Sequence, residues 1–188
     1  FEVIIAPDFS DNALKLLKSK NNRIIIKLKS YPENKIQSRS CLNGILEQDS
    51  DSLIEKFEDF KVVTKKSPNS SMFDDLAIAS IVTKHLKSNC IAIVKDKQLI
   101  GSGMGQVSRI DALNQAIEKS KKFGFDLKGS CLSSDAFFPF SDCVEISHAN
   151  NIRSIVQPGG SIKDQESIDF CNKNDMSMVF SGIRHFRH

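Results

Sequence analysis

Hydrophobic positions along the chain recur with two different periods, and each change of period marks an element. The apolar run "EVIIA" stops at Pro7 and predicts a strand. "SDNALKLLKSK" then sets Leu14, Leu16 and Leu17 against lysines, as an amphipathic helix does. "RIIIKLK" is a second short, β-branched strand. The polar stretch "SYPENKIQSRS" interrupts before "NGILEQD", expected as an edge strand. "SDSLIEKFEDF" reads as a helix and "KVVTKK" as a strand. The strongest helical pattern is "KSPNSSMFDDLAIASIVTKHLKSN". Ser71 with Asp74 three residues on predicts a capping box. Phe73, Leu76, Ile78, Ile81, Val82 and Leu86 cover most of the circumference and predict a largely buried helix.

"CIAIVKDKQLIGSG" predicts a hairpin turning at Asp96 and Lys97. A helix is expected from about Ser108, with Ile110, Leu113 and Ile117 inward and Gly124 as its stop. "SDCVEISHANN" predicts a short helix and "IRSIVQP" a strand. "GGSIKDQESIDFCNKND" predicts a helix capped by Ser161 and Asp164, "MSMVFSG" a last strand, and "IRHFRH" the tail. Strand and helix alternate to the end. The expected fold class is therefore α/β, a mainly parallel or mixed sheet sandwiched by helices.

Composition narrows the class of partner. The 188 residues, 40% hydrophobic, suffice for one domain with a buried core. Lys and Arg number 26 against 23 Asp and Glu, a net charge of +3, and the lysines are spread rather than clustered. That argues against nucleic acid as a partner. No apolar run is long enough to span a bilayer, and no signal peptide opens the chain, so the expectation is a cytoplasmic protein with no membrane partner. Five widely spaced cysteines without a C-x-x-C pair read as small buried hydrophobes in a reducing compartment. The opening "FEVIIAP" is a strand already under way with no initiator Met, which predicts a fragment of something longer.

Candidate chemistry is sparse. "GSGMGQVSR" runs three glycines into a helix with Arg109 in its first turn. This is either an anion site at a helix N-terminus or a tight structural turn. "QPGGS" has the same ambiguity between ligand loop and connection. His85 sits near a helix C-terminus, His148 in a helix beside "ANN", and His185 and His188 in the tail. No two are spaced i, i+4, and neither H-E-x-x-H nor the deaminase pair H-x-E with P-C-x-x-C is present. A zinc site is therefore not expected. "SSDAFFPFSD" packs Phe137, Phe138 and Phe140 around Pro139, too many rings for one short segment to bury. Residues alone reach an α/β domain that binds a small anionic ligand.

The blocks "SNCIAIVKDKQLIGSGMGQVSRID", "SSDAFFPFSD", "VQPGGSIKDQESIDFC" and "MVFSGIRHFRH" take the reading further. With "RSCLNGILEQDSD" ahead of them, they resemble the C-terminal part of the AICAR transformylase domain in the bifunctional purine biosynthesis family. The resemblance covers essentially the whole chain. It implies transfer of a formyl group from 10-formyltetrahydrofolate to the amine of AICAR in IMP biosynthesis. It also implies that residues 1–188 form the second of two cytidine-deaminase-like α/β/α units.

Carried over position by position, Asn89 matches the asparagine beside the reacting amine, as the catalytic candidate. Arg109, Phe137, Arg184 and Phe186 match the AICAR pocket, and Ile110, Pro139 and Asp142 the folate pocket. Phe138 and Phe140 are then left to anchor the loop in the core. The family's catalytic Lys-His pair lies upstream of this segment, and the Lys84-His85 pair is a different place on the pattern. Cys143 stands where some members carry a polar residue. The resemblance further implies the upstream half of the same protein as a partner, a homodimer with the site at its interface, and a hint of a potassium ion near Asp135. A non-catalytic nucleotide- or folate-binding module and a deaminase-like hydrolase are the alternative functions.

Overall fold

In the computed structural model the two periods resolve into ten strands and five α-helices among the described residues, 1–30 and 36–187. Residues 31–35 of the polar stretch and His188 of the tail lie outside them. The chain divides into two units, Phe1–Ser52 and Leu53–His188.

In the first unit, β1 (Val3–Ala6) and β2 (Ile24–Lys27) pair in parallel, joined through α1 (Asp11–Leu17). Ser10 caps α1, its Oγ accepting from the Ala13 N–H at 3.3 Å. β3 (Ile36–Cys41) and β4 (Gly44–Asp49) make a separate antiparallel hairpin. "NGILEQD" is thus a strand, but its partner comes from the stretch that reads as a polar interruption. Among the described residues of this unit none is buried.

The second unit holds a six-stranded mixed sheet in the order β5-β10-β9-β8-β6-β7. Its strands are β5 (Lys61–Val62), β6 (Ile91–Lys95), β7 (Gln98–Gly103), β8 (Cys131–Ser134), β9 (Ser154–Gln157) and β10 (Ser177–Phe180). β8, β9 and β10 run parallel, whereas β6 is antiparallel to both of its neighbours. Side chains alternate across the sheet and build two cores. One face sets Ile91, Ile93, Leu132, Ile155 and Met178 against α3 (Arg109–Lys122), α4 (Asp142–Ala149) and α5 (Asp164–Lys173). The other sets Cys131, Val156 and Val179 against Leu76 of α2 (Ser70–His85) and Phe60. The architecture is three-layer α/β/α with a mixed sheet, as the alternation predicts. No helix among the described residues is long and apolar enough to cross a membrane.

Several local expectations are corrected. "SDSLIEKFEDF" forms only a 3₁₀ turn at Phe57–Asp59. Glu55 is drawn into the interior and Phe60 into the second core, which fixes the chain in a path no helix follows. The α2 cap is Asn69, whose side chain accepts from the Met72 N–H at 2.9 Å; Asp74 pairs with Lys97 instead. The buried face of α2 is Asp75, Leu76, Ala79, Ser80, Thr83 and Lys84, while Ile81 is 38% exposed. Polar groups win there because Thr83 and Asp75 find partners on the sheet and its hairpin turn, and Lys84 one in the Leu53 carbonyl. Thr83 Oγ1 meets Ser133 Oγ at 2.9 Å, and Asp75 accepts from the Asp96 and Lys97 N–H groups at 3.0 and 2.7 Å. The last two bonds brace the predicted hairpin turn, where both residues have positive φ.

α5 starts at Asp164, and only half of its expected box forms, the Asp164 carboxylate accepting from the Ser161 N–H at 3.0 Å. Phe140 does not anchor in the core: it is 55% exposed, with Lys163 Nζ 5.9 Å from its ring centroid. Phe138 alone is fully buried.

α3 follows its pattern closely. Ser108 caps it, Ala112, Leu113, Ala116, Ile117 and Ser120 are buried, and Gly124 ends it at φ +78°. It lies directly on β7, so that a Cβ on Gly103 would overlap the Ala112 carbonyl oxygen and one on Gly101 the Ala116 carbonyl oxygen and Ser120 Oγ. Both neighbours are helix backbone and cannot give way. Gly103→Ala is therefore expected to cost at least ~3 kcal/mol, read as a lowered midpoint in urea denaturation of the chain. An unchanged midpoint would show that α3 is not seated on these glycines.

Candidate functional site

The antiparallel insertion of β6 has a geometric consequence. Ile91 lies opposite both Gly103 and Ser134, and the parallel register brings Gln157 and Phe180 to the same end of the sheet. The segments leaving β7, β8, β9 and β10, and the one entering β6, therefore share one edge. Asn89, Arg109, Phe137, Asp142 and Arg184 all belong to those segments.

Asp135, one residue past β8, is fully buried. One terminal nitrogen of Arg109 stands 3.6 Å from its Oδ1, too far for a normal hydrogen bond. Among the described residues neither Asp135 oxygen nor Arg109 Nε has a hydrogen-bond partner. The pair is held by charge alone, in a setting where an unsatisfied carboxylate is expensive. Burial pushes the Cys90 thiol well up, and the Asp135 charge pushes it further. Cys143 is likewise pushed up to about 12, by burial first and then by the Asp142 charge. Both thiols are therefore neutral.

Asn89 spends its amide N–H groups on the Gln106 and Val107 carbonyls, at 3.0 and 3.3 Å. Its backbone exchanges two further bonds with Gln106 at 3.3 Å. The loop between β7 and α3 is thereby fastened to the start of β6, and Arg109 is delivered at the first turn of α3. Ile110 is half-buried against the larger core. The glycine motif resolves into its structural reading at Gly101 and Gly103, which seat the helix.

On the other half of the edge, the Arg184 guanidinium lies over the Phe137 ring at 4.6 Å from its centroid. These residues come from the ends of β10 and β8, with the "QPGGS" loop between them. A Cβ on Gly160 would stand 3.7 Å from an Arg184 terminal nitrogen, and one on Gly159 only 2.6 Å from the Phe180 ring. Both glycines have positive φ, so the loop is a connection that only glycine permits. Pro139 is exposed, and Asp142 opens α4 with its carboxylate accepting from the Cys143 N–H at 2.7 Å. Phe186 is 42% exposed.

Sequence reasoning missed two residues of this edge. His185, read as part of a tail, is only 3% exposed, with Nε2 2.9 Å from Glu55 Oε1. Burial would push the Glu55 carboxyl up, but bonds from His185 and from its own backbone N–H together hold it below the ordinary carboxylate range. A separation of 130 residues left no spacing signal for this pair. Among the described residues no three His, Cys, Asp or Glu side chains gather as a metal-holding group.

The model for the AICARFT/IMPCHase bienzyme family matches residues 1–119. A bifunctional purine biosynthesis protein PurH of Bacteroides thetaiotaomicron is 52% identical over 188 residues, which is 100% of this chain and 37% of that protein. The PurH of Aquifex aeolicus is 44% identical over 187 residues, 100% of this chain and 36% of its own length. The chain thus spans little more than a third of the relatives it matches. Among solved structures, a dCMP deaminase from the cyanophage S-TIM5 overlaps 60% of this chain and 98% of its own, with a TM-score of 0.41 and 13% identity. A bifunctional deaminase/reductase from Thermotoga maritima overlaps 56% of this chain and 34% of its own, with a TM-score of 0.38 and 18% identity. Both overlaps are loose.

The thiols give a direct check on this packing. Cys41 is exposed, whereas Cys90, Cys131, Cys143 and Cys171 are buried, and burial pushes all four up. With an aromatic disulfide reagent at about pH 8, the native chain is expected to react at Cys41 alone and at the others only after denaturation. Rapid reaction of Cys90 or Cys143 in the native state would show that the Asp135 environment is open to solvent.

Proposed function

The chain belongs to the AICARFT/IMPCHase bienzyme family, and we propose from that premise that it is the C-terminal part of an AICAR transformylase domain. In this reading it serves purine (IMP) biosynthesis by binding AICAR and 10-formyltetrahydrofolate and orienting them for formyl transfer. The observation that carries the reading is the Arg184 fork stacked on Phe137, two residues from separate strand ends meeting at one edge. A planar guanidinium backed by a ring is oriented before a ligand arrives, which suits bidentate contact with a nucleotide. Phe186 and Arg109 complete the AICAR side.

Asn89 supplies the reacting centre with a group that does not titrate. With its N–H groups engaged by Gln106 and Val107, its oxygen is left to accept from the AICAR amine. Ile110, Pro139 and Asp142 face the folate, the Asp142 carboxylate accepting from an aminopyrimidine edge. A potassium ion fits at Asp135, whose buried oxygens have no hydrogen-bond partner among the described residues; it would balance that charge. General-base chemistry comes from the Lys-His pair of the upstream half, with the site shared across a homodimer interface. The first unit agrees with such a partner: a parallel strand pair is normally covered on both faces, and here no described residue is buried.

The test is substitution in the whole protein. Arg184→Ala is expected to weaken AICAR binding about ten- to a hundredfold by calorimetry, the worth of a hydrogen bond to a charged group. Phe137→Ala should lower affinity with little loss of stability, whereas Phe138→Ala should cost ~3–5 kcal/mol of stability. Unchanged AICAR affinity in Arg184→Ala would remove the residue from the site. Formyl transfer by this chain alone would overturn the assignment of the base to the upstream half.

A further inference from the structure

The tail beyond β10 has no regular secondary structure, yet it is held by alternate residues. The His185 N–H donates to the Asp135 carbonyl at 3.0 Å. Arg187 and Ser88 exchange two bonds, Ser88 N–H to the Arg187 carbonyl at 2.8 Å and Arg187 N–H to Ser88 Oγ at 3.0 Å. Arg184 and Phe186, on either side of His185, are exposed. Those backbone bonds define a path along the site edge. In this register His185 faces inward and its neighbours outward, and a slip of one residue would reverse every side chain, because an extended segment presents opposite sides with period two.

That register is held against slippage by His185. Its ring meets Glu55 in a place where both side chains are almost completely buried, 3% and 1% exposed. The Glu55 segment is fixed independently of the tail. Lys84 of α2 donates to the Leu53 carbonyl, and the Asp59 carboxylate accepts from the Lys56 N–H at 2.9 Å. Glu55 therefore stands as a buried acceptor, held also by Ser80 and by its own backbone N–H, and loss of the His185 bond would leave more of its desolvation uncompensated. The same requirement explains why this stretch abandons its helical pattern.

We infer that Glu55 and His185 are positioning residues, whose buried contact holds His185 inward and so turns Arg184 and Phe186 outward together, Arg184 over Phe137. The inference rests on the reading of Arg184 as an AICAR ligand. Neither Glu55 nor His185 touches substrate in this arrangement, so their loss acts on binding through Arg184.

In the whole protein, Glu55→Ala should raise KM for AICAR about tenfold and change kcat less than about threefold. Glu55→Gln, which retains an acceptor oxygen for His185, should stay within about threefold in both. Amide hydrogen exchange at His185 and Arg187, the tail amides bonded to Asp135 and Ser88, should quicken about tenfold or more in Glu55→Ala, with the β8 and β9 amides unchanged. Arg184→Ala separates the two readings. If it leaves KM unchanged, Arg184 is not a ligand, and tail exchange alone decides whether the pair positions the tail. If it raises KM while Glu55→Ala does not, the positioning role is overturned. Unaltered tail exchange in Glu55→Ala, β8 and β9 amides opening along with the tail, or a Glu55→Gln variant as impaired as Glu55→Ala would each overturn it too.

Discussion

The close seating of α3 on β7 is the contact on which the rest of the second unit depends. Gly101 and Gly103 remove every side chain from the strand surface, and Ala112, Ala116 and Ser120 do nearly the same on the helix. Backbone then rests on backbone, and Ser120 Oγ closes the contact by donating to the Ile100 carbonyl at 3.0 Å. With the helix axis fixed this tightly, its first turn has little freedom, and Arg109 is carried to the buried Asp135. A looser contact, with larger residues at these positions, would let the N-terminus swing and the charge pair separate.

Asp135 is the point where the two halves of the edge join. Its side chain faces Arg109 from α3, its carbonyl accepts from His185 in the tail, and two residues on Phe137 underlies Arg184. A carboxylate that is buried and not fully hydrogen-bonded carries a large desolvation cost, and one arginine at 3.6 Å offsets only part of it. The neighbouring Cys90 and Cys143 thiols are kept protonated and add no negative charge of their own. Such an arrangement leaves a local demand for positive charge at the sheet edge, which Arg109 answers in part.

The fold was legible where one principle acted alone. Hydrophobic runs located every strand of the main sheet except β8, whose sequence CLSS has too few apolar residues to stand out, and the Ser108 cap, the Gly124 stop and the Asp96-Lys97 turn were read from local chemistry. It was illegible where long-range partners overrode local pattern. "SDSLIEKFEDF" has a helix's periodicity, but Glu55 and Phe60 are claimed by partners far away in sequence. The apolar positions of α2 suggested its buried face, yet the sheet opposite offers Ser133 and the backbone of the Asp96-Lys97 turn, so Asp75 and Thr83 turn inward. Of the candidate site, Arg109 was singled out by the glycine-rich turn before its helix, and the other residues' roles came from the family resemblance. Its physical counterpart, the sharing of one edge by five segments, follows from the antiparallel placement of β6, which no spacing along the chain encodes.

The segment Ser133–Asp142 illustrates how site and core divide a short stretch. Leaving β8 without regular structure, it keeps the alternation of a strand for a few residues, with Phe138 fully buried and Phe137 half-buried beneath Arg184. Adjacent rings therefore point to opposite environments, and the inward one fixes the outward one. Pro139 restricts the backbone immediately afterwards, so Phe137 cannot shift without dislodging Phe138 from its packing. Phe140 lies beyond that restriction and faces solvent near Lys163, which is why three phenylalanines fit a segment with room to bury only one. A ring held this way can support the Arg184 guanidinium at a constant plane, so that the entropy of ordering the fork is met during folding.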